Sequence, residues 1–163
     1  MEKLHLETSV ISHAVSRPSA DIQIAAMQMQ AKNWWGQERD NFEIYVSQLV
    51  ITEASAGDPT AAAERLELLQ GIALLPVSIE AQALAASIVA ASLVPQKAEA
   101  DALHVAVAAL GGVRYLLTNN CRHIANAHTM PHVQEMLDQA GCGQLMICTP
   151  VQFSGKDDEK PDS

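Results

Sequence analysis

Hydrophobic and polar positions along the chain alternate between strand-like and helix-like patterns. Short runs of apolar and β-branched residues predict five strands, at residues 3–10 (running into a turn), 42–46, 72–77, 113–118 and 144–148. Apolar residues at helical spacing predict helices at residues 21–38, directly after 47, and at 61–69, 79–93, 97–110 and 131–139. This alternation predicts an α/β fold, a single domain with a central parallel sheet of about five strands and helices on both faces.

Local signals mark where several elements begin and end. Asp21, Ser47 and Ser78 stand in front of helical patterns and are suitable N-caps, and Thr8 or Ser9 can cap a helix after the first strand. Gly111-Gly112 ends the helix before the fourth strand. We expect residues 1–151 to form the domain and residues 152–163 to be a solvated acidic tail.

Composition narrows the class of protein. Hydrophobic residues make up 48% of the chain, which suits a compact globular domain, and no apolar run is long enough to span a bilayer. The three cysteines form no CxxC pair, which argues against a disulfide framework or zinc knuckle and favours reduced thiols. The N-terminus does not have the pattern of a signal peptide. We therefore expect a cytoplasmic protein without a membrane partner.

The net charge of −9 argues against a protein that binds nucleic acid through its overall charge. It leaves room for a local basic groove. It also suits a site built from carboxylates that a bound cation partly neutralises.

Three local patterns carry candidate chemistry. Residues 6–11 (LETSVI) place an acid and two hydroxyls at the end of the first strand, and residues 47–55 (SQLVITEAS) place an acid in an apolar helix. Residues 100–108 (ADALHVAVA) are followed by residues 115–120 (YLLTNN). In parallel sheets, sites form beyond the carboxyl ends of the strands, so these polar residues are expected to converge there.

Together the three patterns resemble the PIN domain, in the variety found in VapC-like toxins of toxin–antitoxin pairs, over roughly residues 1–151. The resemblance implies a PIN-like fold and a metal-dependent endoribonuclease that hydrolyses RNA phosphodiester bonds. It also implies a homodimer held inactive by an antitoxin protein.

The resemblance also implies roles for individual residues. Glu7 and Asp101 would bind Mg²⁺ or Mn²⁺ directly, and Glu53 would bind directly or through water, since these ions prefer oxygen ligands. Asn120 would act through its carbonyl oxygen or orient a metal-bound water. The other expected site residues, which hydrogen-bond the carboxylates or contact substrate, are Thr8, Ser9, Thr118, His104 and Arg122.

Two of the acids have plainer interpretations. Glu7 can simply cap the following turn or pair with a surface base, and Asp101 can be an acid that the macrodipole favours at a helix N-terminus.

The basic residues near the expected site have plainer interpretations too. His104, one turn after Asp101, is about equally well explained as a structural histidine. For Arg122 and His123 the sequence leaves two roles open, a contact to substrate phosphate and a structural salt bridge. His123, His128 and His132 do not have the spacing of a zinc site, and they are otherwise interpreted as loop or surface residues.

Two positions depart from the family pattern. Glu7 stands where most members have Asp, and its longer side chain still reaches a metal. Asn120 stands where many have an acid, and it adds no charge, so three carboxylates are expected to bind metal more weakly than four.

Two other functions compete with the nuclease. One is a non-catalytic PIN scaffold that binds protein or RNA, favoured by Asn120 and the acidic composition. The other is an α/β protein with a phosphoryl-accepting aspartate, such as a response receiver or phosphatase, which Glu7 suits poorly as the first-strand acid.

Overall fold

The computed structural model describes residues 1–154 and confirms the predicted α/β class. Its strands are β1 (Glu2–Leu6), β2 (Phe42–Ser47), β3 (Ala73–Leu75), β4 (Tyr115–Leu117) and β5 (Met146–Cys148). They form one sheet in the order β3-β2-β1-β4-β5, and every neighbouring pair is parallel.

Seven α-helices connect and cover the strands. They are α1 (Thr8–Val15), α2 (Ile22–Gln37), α3 (Gln48–Ala54), α4 (Pro59–Leu69), α5 (Ile79–Ala90), α6 (Glu99–Leu110) and α7 (Met130–Gln139). Short 3₁₀ turns lie at Arg39–Asn41, Gln96–Ala98 and Pro150–Phe153. No helix within residues 1–154 is both long enough and apolar enough to cross a membrane.

Side-chain caps begin several of these helices. The predicted caps Asp21, Ser47 and Ser78 accept hydrogen bonds from backbone N–H groups in the first turns of α2, α3 and α5. Such bonds satisfy donors that a helix leaves unpaired at its N-terminus. The caps set where each helix starts after its strand or turn, and in α3 the start at Ser47 determines where Glu53 lies.

Helices cover both faces of the sheet, as predicted. On one face α1, α2, α3 and α4 pack over a core that includes Leu6, Val46 and Leu117. On the other face α5, α6 and α7 pack over a core that includes Leu75, Val105 and Leu116. Because helices bury both faces, the apolar strand residues point in both directions, as in other parallel sheets.

The structure corrects the predicted end of the first strand. Residues 3–10 were expected to form a strand running into a turn, whereas β1 ends at Leu6 and residues 8–15 form α1. The helix is capped by the carboxylate of Glu7, which accepts from the N–H of Ser9, rather than by Thr8 or Ser9. A cap on the following turn was the plainer interpretation of Glu7, and the structure confirms it, with a Glu where shorter side chains such as Asp are usual.

The folded part also extends past the predicted boundary at residue 151. Phe153 packs against Phe42 and Tyr115, with ring centroids 5.2 and 5.4 Å away. Pro150 is buried beneath the same turn. Gln152 and Phe153 therefore belong to the domain, and the remainder of the predicted tail, from residue 155, lies outside the described residues.

His5 is the most unusual core residue. Its ring is fully buried on β1, and neither ring nitrogen has a hydrogen-bond partner among residues 1–154. Burial, together with the nearby charge of His104, lowers the pKa of His5 to about 3. The folded protein thus holds this imidazole neutral over most of the accessible pH range.

We expect His5 to make the metal-free protein less stable in acid. Because its folded pKa lies below the ordinary value of about 6.5, the unfolded chain binds a proton that the folded protein excludes, and stability falls as pH drops from about 6.5 towards 3. The free energy of unfolding can be measured in urea, with EDTA present, at pH 7.5, 6 and 5. As the pH falls, the value for His5→Leu should rise relative to that of the parent by up to about 1.4 kcal/mol per pH unit. The exposed His132→Gln variant is the control. If the free energy of unfolding depends on pH equally in the parent and in His5→Leu, His5 does not titrate in this way.

Candidate metal centre at the carboxyl edge of the sheet

The strand order reverses between β1 and β4. From β1 the chain adds β2 and β3 on one side and later β4 and β5 on the other. In open parallel sheets such a reversal leaves a crevice at the carboxyl ends of the two strands, and ligands bind there. Glu7 directly follows β1 and Thr118 directly follows β4, so both lie at this crevice. The N–H of Glu7 donates to the carbonyl of Leu117 at 3.0 Å, which joins the two strand ends.

Hydroxyl groups hold the carboxylate of Glu7, which is only 4% exposed. Its Oε1 accepts from the hydroxyls of Ser9 and Thr118, each at 2.5 Å, and its Oε2 accepts from the N–H of Ser9 at 2.9 Å. The Ser9 hydroxyl in turn accepts from the N–H of Asn119 at 2.8 Å. Burial of a carboxyl group without such partners is costly, so this network is what permits Glu7 to lie inside the protein.

Glu53 reaches the same crevice from the last turn of α3. Its Oε1 accepts from the Thr8 hydroxyl at 2.7 Å and lies 2.6 Å from Nε2 of His104. The His104 ring is fully buried on α6, whereas the Glu53 side chain is one-third exposed. Glu53 therefore joins the buried floor of the crevice to its open side.

His104 and Glu53 change each other's protonation. Burial raises the pKa of Glu53, but the hydrogen bond and charge of His104, with the Thr8 hydroxyl, outweigh burial and leave the pKa below its usual value. Burial lowers the pKa of His104, but the bond to Glu53 and the charges of Glu7, Glu53 and Asp101 raise it above its usual value. Without a metal ion, both shifts favour the ion pair, an imidazolium beside a carboxylate, over the neutral pair.

Asp101 lies one turn before His104, in the first turn of α6. Its Oδ2 is 2.9 Å from Nδ1 of His123, and no hydrogen bond among the described residues uses its Oδ1. The His123 backbone N–H donates to Oδ1 of Asn120 at 3.0 Å, and the Asn120 N–H donates to the Thr118 hydroxyl at 2.9 Å. Asn120 thus links the Glu7 network to the Asp101–His123 pair, and its carbonyl oxygen keeps one lone pair free.

Three side chains in the described part of the chain are grouped closely enough to hold a metal ion. Glu7, Glu53 and His104 each offer one ligand atom, and these atoms all lie within 4.8 Å of one another. The expected set was Glu7, Glu53 and Asp101, so the structure replaces Asp101 by His104 in the tightest group. Two carboxylates and an imidazole suit a divalent cation, and so the site fits a metal by the chemistry of its donors.

The structure brings most of the expected site residues together. The two glutamates accept hydrogen bonds from the hydroxyls of Thr8, Ser9 and Thr118. Arg122 is exposed and forms no ion pair within residues 1–154, so the structural salt bridge considered for it is absent there.

The sequence left a structural salt bridge open for one histidine at the site, His123, and gave no role to a second, His13. His123 pairs with Asp101, and His13 on α1 lies 2.9 Å from the side-chain amide of Asn119. Burial lowers the pKa of His13, the charge of Glu7 partly offsets this, and Lys32 lowers it further. The spacing of three residues from Asn120 to His123, in which an Asn side chain caps a turn, was the available signal for His123. His13 had no comparable signal.

Comparison with known proteins gives one positive result. Neither the curated proteins nor the solved structures compared with the chain gave a match. The family model described as PIN domain matches residues 5–128, a span that contains every residue of the centre described above. Proteins of this family are generally metal-dependent nucleases, which agrees with the grouping of Glu7, Glu53 and His104 at a strand-end crevice. The chain therefore belongs to the PIN domain family.

Proposed function

We propose that this protein is a metal-dependent endoribonuclease that hydrolyses RNA phosphodiester bonds with Mg²⁺ or Mn²⁺. The observation that carries the proposal is the joint placement of Glu7, Glu53 and Asp101 around one crevice in a PIN domain. Three carboxylates that converge on one crevice repel one another, and a cation bound among them would offset that repulsion.

Each residue has a part in the proposed reaction. Glu7 and Glu53 hold the cation, and the Oδ1 of Asp101 is free to bind it or a water on it. Bound there, Mg²⁺ or Mn²⁺ would supply a nucleophilic water at neutral pH and offset charge on the phosphate oxygens. The Thr8 and Thr118 hydroxyls fix the directions of the two glutamates, and such supporting groups determine how well a metal is held.

Substrate must approach an acidic molecule. With a net charge of −9, attraction between the whole protein and RNA is weak, so binding has to come from the site itself. The cation supplies local positive charge, and the exposed Arg122 next to Asn120 and Cys121 is the proposed phosphate contact at the rim. The carbonyl of Asn120 can still orient a water on the metal.

We further propose that the protein is the toxin of a toxin–antitoxin pair, a cytoplasmic homodimer that an antitoxin protein inhibits. The support is the set of three sequence patterns, at residues 6–11, at residues 47–55 and at residues 100–108 followed by 115–120, which together resemble those of VapC-like toxins.

A specific observation favours the alternative of a weak or inactive scaffold. The imidazole of His104 already pairs with Glu53, and Asn120 supplies an amide where many relatives supply an acid. Both features reduce the negative charge that the crevice offers to a cation. A scaffold of this kind would bind RNA or protein without cutting.

We expect Asp101→Asn and Glu7→Gln to lose RNA cleavage by at least about 10²-fold, because each removes a fixed charge that would act on the metal or the scissile phosphate. The assay follows cleavage of mixed RNA by full-length protein in Mg²⁺, in Mn²⁺ and in EDTA. Asp40→Asn is the matched control, since Asp40 is exposed and lies outside the crevice.

Full cleavage by Asp101→Asn would exclude the proposed role of that residue. A well-folded, antitoxin-free parent that does not cleave in either metal would instead favour the scaffold.

The hydroxyl of Thr118 offers a second test. It donates to Glu7 and accepts from the N–H of Asn120, so Thr118→Val keeps the shape of the side chain and removes both bonds. Loss of supporting groups typically costs about 10–100-fold in metal affinity or activity, and we expect a loss in that range for both. Thermal unfolding with and without Mn²⁺ measures metal binding. Unchanged affinity and cleavage would show that Thr118 does not orient Glu7.

A further inference from the structure

We propose that Nε2 of His104 is itself a ligand of the cation held by Glu7 and Glu53, so that the centre is a mixed nitrogen–oxygen site that prefers Mn²⁺ to Mg²⁺. The inference rests on the metal site of the proposed function. It goes further by assigning a third ligand that the carboxylate pattern of the sequence did not include.

Geometry places the imidazole nitrogen among the ligands. Nε2 lies 2.6 Å from Oε1 of Glu53, and Glu7 offers an oxygen within 4.8 Å of both. Adjacent ligands of an octahedral ion with bonds of 2.0–2.1 Å are separated by about 3 Å, so a small movement of Glu53 admits an ion between these atoms. Asp101 lies outside the group, and its Oδ2 is engaged by His123.

Burial fixes the ring in this position. His104 is fully buried on α6, so its imidazole cannot swing into solvent to make room for an ion held by oxygen alone. A cation that binds both glutamates therefore meets the edge of this ring. Mg²⁺ prefers oxygen ligands and retained waters. Mn²⁺ also binds carboxylate oxygens, but as a first-row transition ion it accepts an imidazole nitrogen more readily than Mg²⁺ does, so this donor set shifts the preference from Mg²⁺ towards Mn²⁺.

The far side of the ring carries a second, independent observation. Nδ1 of His104 is buried and has no hydrogen-bond partner among residues 1–154, and the same is true of both ring nitrogens of His5. The two rings lie 6.2 Å apart between centroids. A ligating histidine donates its other N–H to an acceptor. The rings are too far apart for a direct hydrogen bond, but a buried water between them would accept from Nδ1–H and donate to a nitrogen of the neutral His5.

A different arrangement gives a contrasting result. If His104 only donates Nε2–H to Glu53, it is a positioning residue, and the metal is bound by oxygen from Glu7, Glu53 and Asp101. In that case no imidazole nitrogen coordinates the ion. Substitution of His104 would then change the metal affinity but not the set of atoms that coordinate the ion.

The test uses tag-free, full-length protein, stripped of metal and loaded with one equivalent of Mn²⁺, without RNA. Electron spin-echo envelope modulation detects nitrogen bound to Mn²⁺. We expect ¹⁴N modulation in the parent, its replacement by ¹⁵N modulation when the histidines are ¹⁵N-labelled, and its loss in His104→Gln. His132→Gln, an exposed histidine on α7, should keep it. The labelled parent keeps the test valid if His104→Gln does not fold.

Competition between Mn²⁺ and Mg²⁺ gives the second readout. The parent should prefer Mn²⁺, and His104→Gln should lose roughly tenfold or more of that preference. Bound Mn²⁺ without nitrogen modulation would overturn the role of His104 and leave the metal site intact. Modulation that survives His104→Gln and disappears in His123→Gln would also overturn it. The absence of any Mn²⁺ binding would overturn the metal site of the proposed function as well.

Discussion

The centre depends on the burial of one carboxylate, that of Glu7, at the junction of β1 and β4. The free energy cost of burying a carboxyl group is several kcal/mol unless hydrogen bonds replace the lost water. Ser9 and Thr118 supply those bonds, and Glu7 also begins α1 as its N-cap. One side chain thus ends a strand, starts a helix and faces the crevice. The local fold and the site are consequently difficult to change separately.

A second constraint follows from bringing Glu53 next to Glu7. Two carboxylates in one crevice repel each other, and a cation has to offset that repulsion. In the metal-free protein, the group placed to offset it is His104 with a proton on Nε2, a form that the hydrogen bond to Glu53 and the surrounding acids favour by raising the pKa in spite of burial. The same nitrogen that carries this proton is the one placed to bind a metal. Proton and metal therefore compete for the same site, as they do wherever a ligand must be deprotonated.

The sequence predicted the architecture because the strands and helices differ clearly in their apolar spacing. It also predicted that the residues after β1 and β4 would converge, since that follows from the topology of parallel sheets. The strand limits were less predictable, because β3, β4 and β5 each contain only three residues with ladder pairing while their apolar runs are longer. The role of Phe153 escaped detection because its partners, Phe42 and Tyr115, are distant in sequence.

The site, like the fold, could be predicted only in part. Glu7, Glu53 and Asp101 are recognisable because acids inside apolar motifs are unusual, but their mutual distances depend on the rotation of α3 and α6, which spacing does not determine. Asp101 and His104 share one face of α6. The observed rotation places the fully buried His104 against Glu53, while the partly exposed Asp101 turns towards His123.

Charge gives the reason that a metal matters more in this protein than in a basic nuclease. A protonated His104 offsets the charge of only one of the three carboxylates at the crevice, whereas a divalent cation would offset two and leave the imidazole neutral. A phosphate that approaches the metal-free site meets a negative crevice on a negative molecule. With a metal bound, the crevice carries less negative charge and has an electrophile at its centre. Since Asn120 adds no charge, it limits the negative charge that the approaching RNA has to overcome. An amide at this position is therefore compatible with catalysis in an acidic protein, even though a fourth acid would bind the metal more tightly.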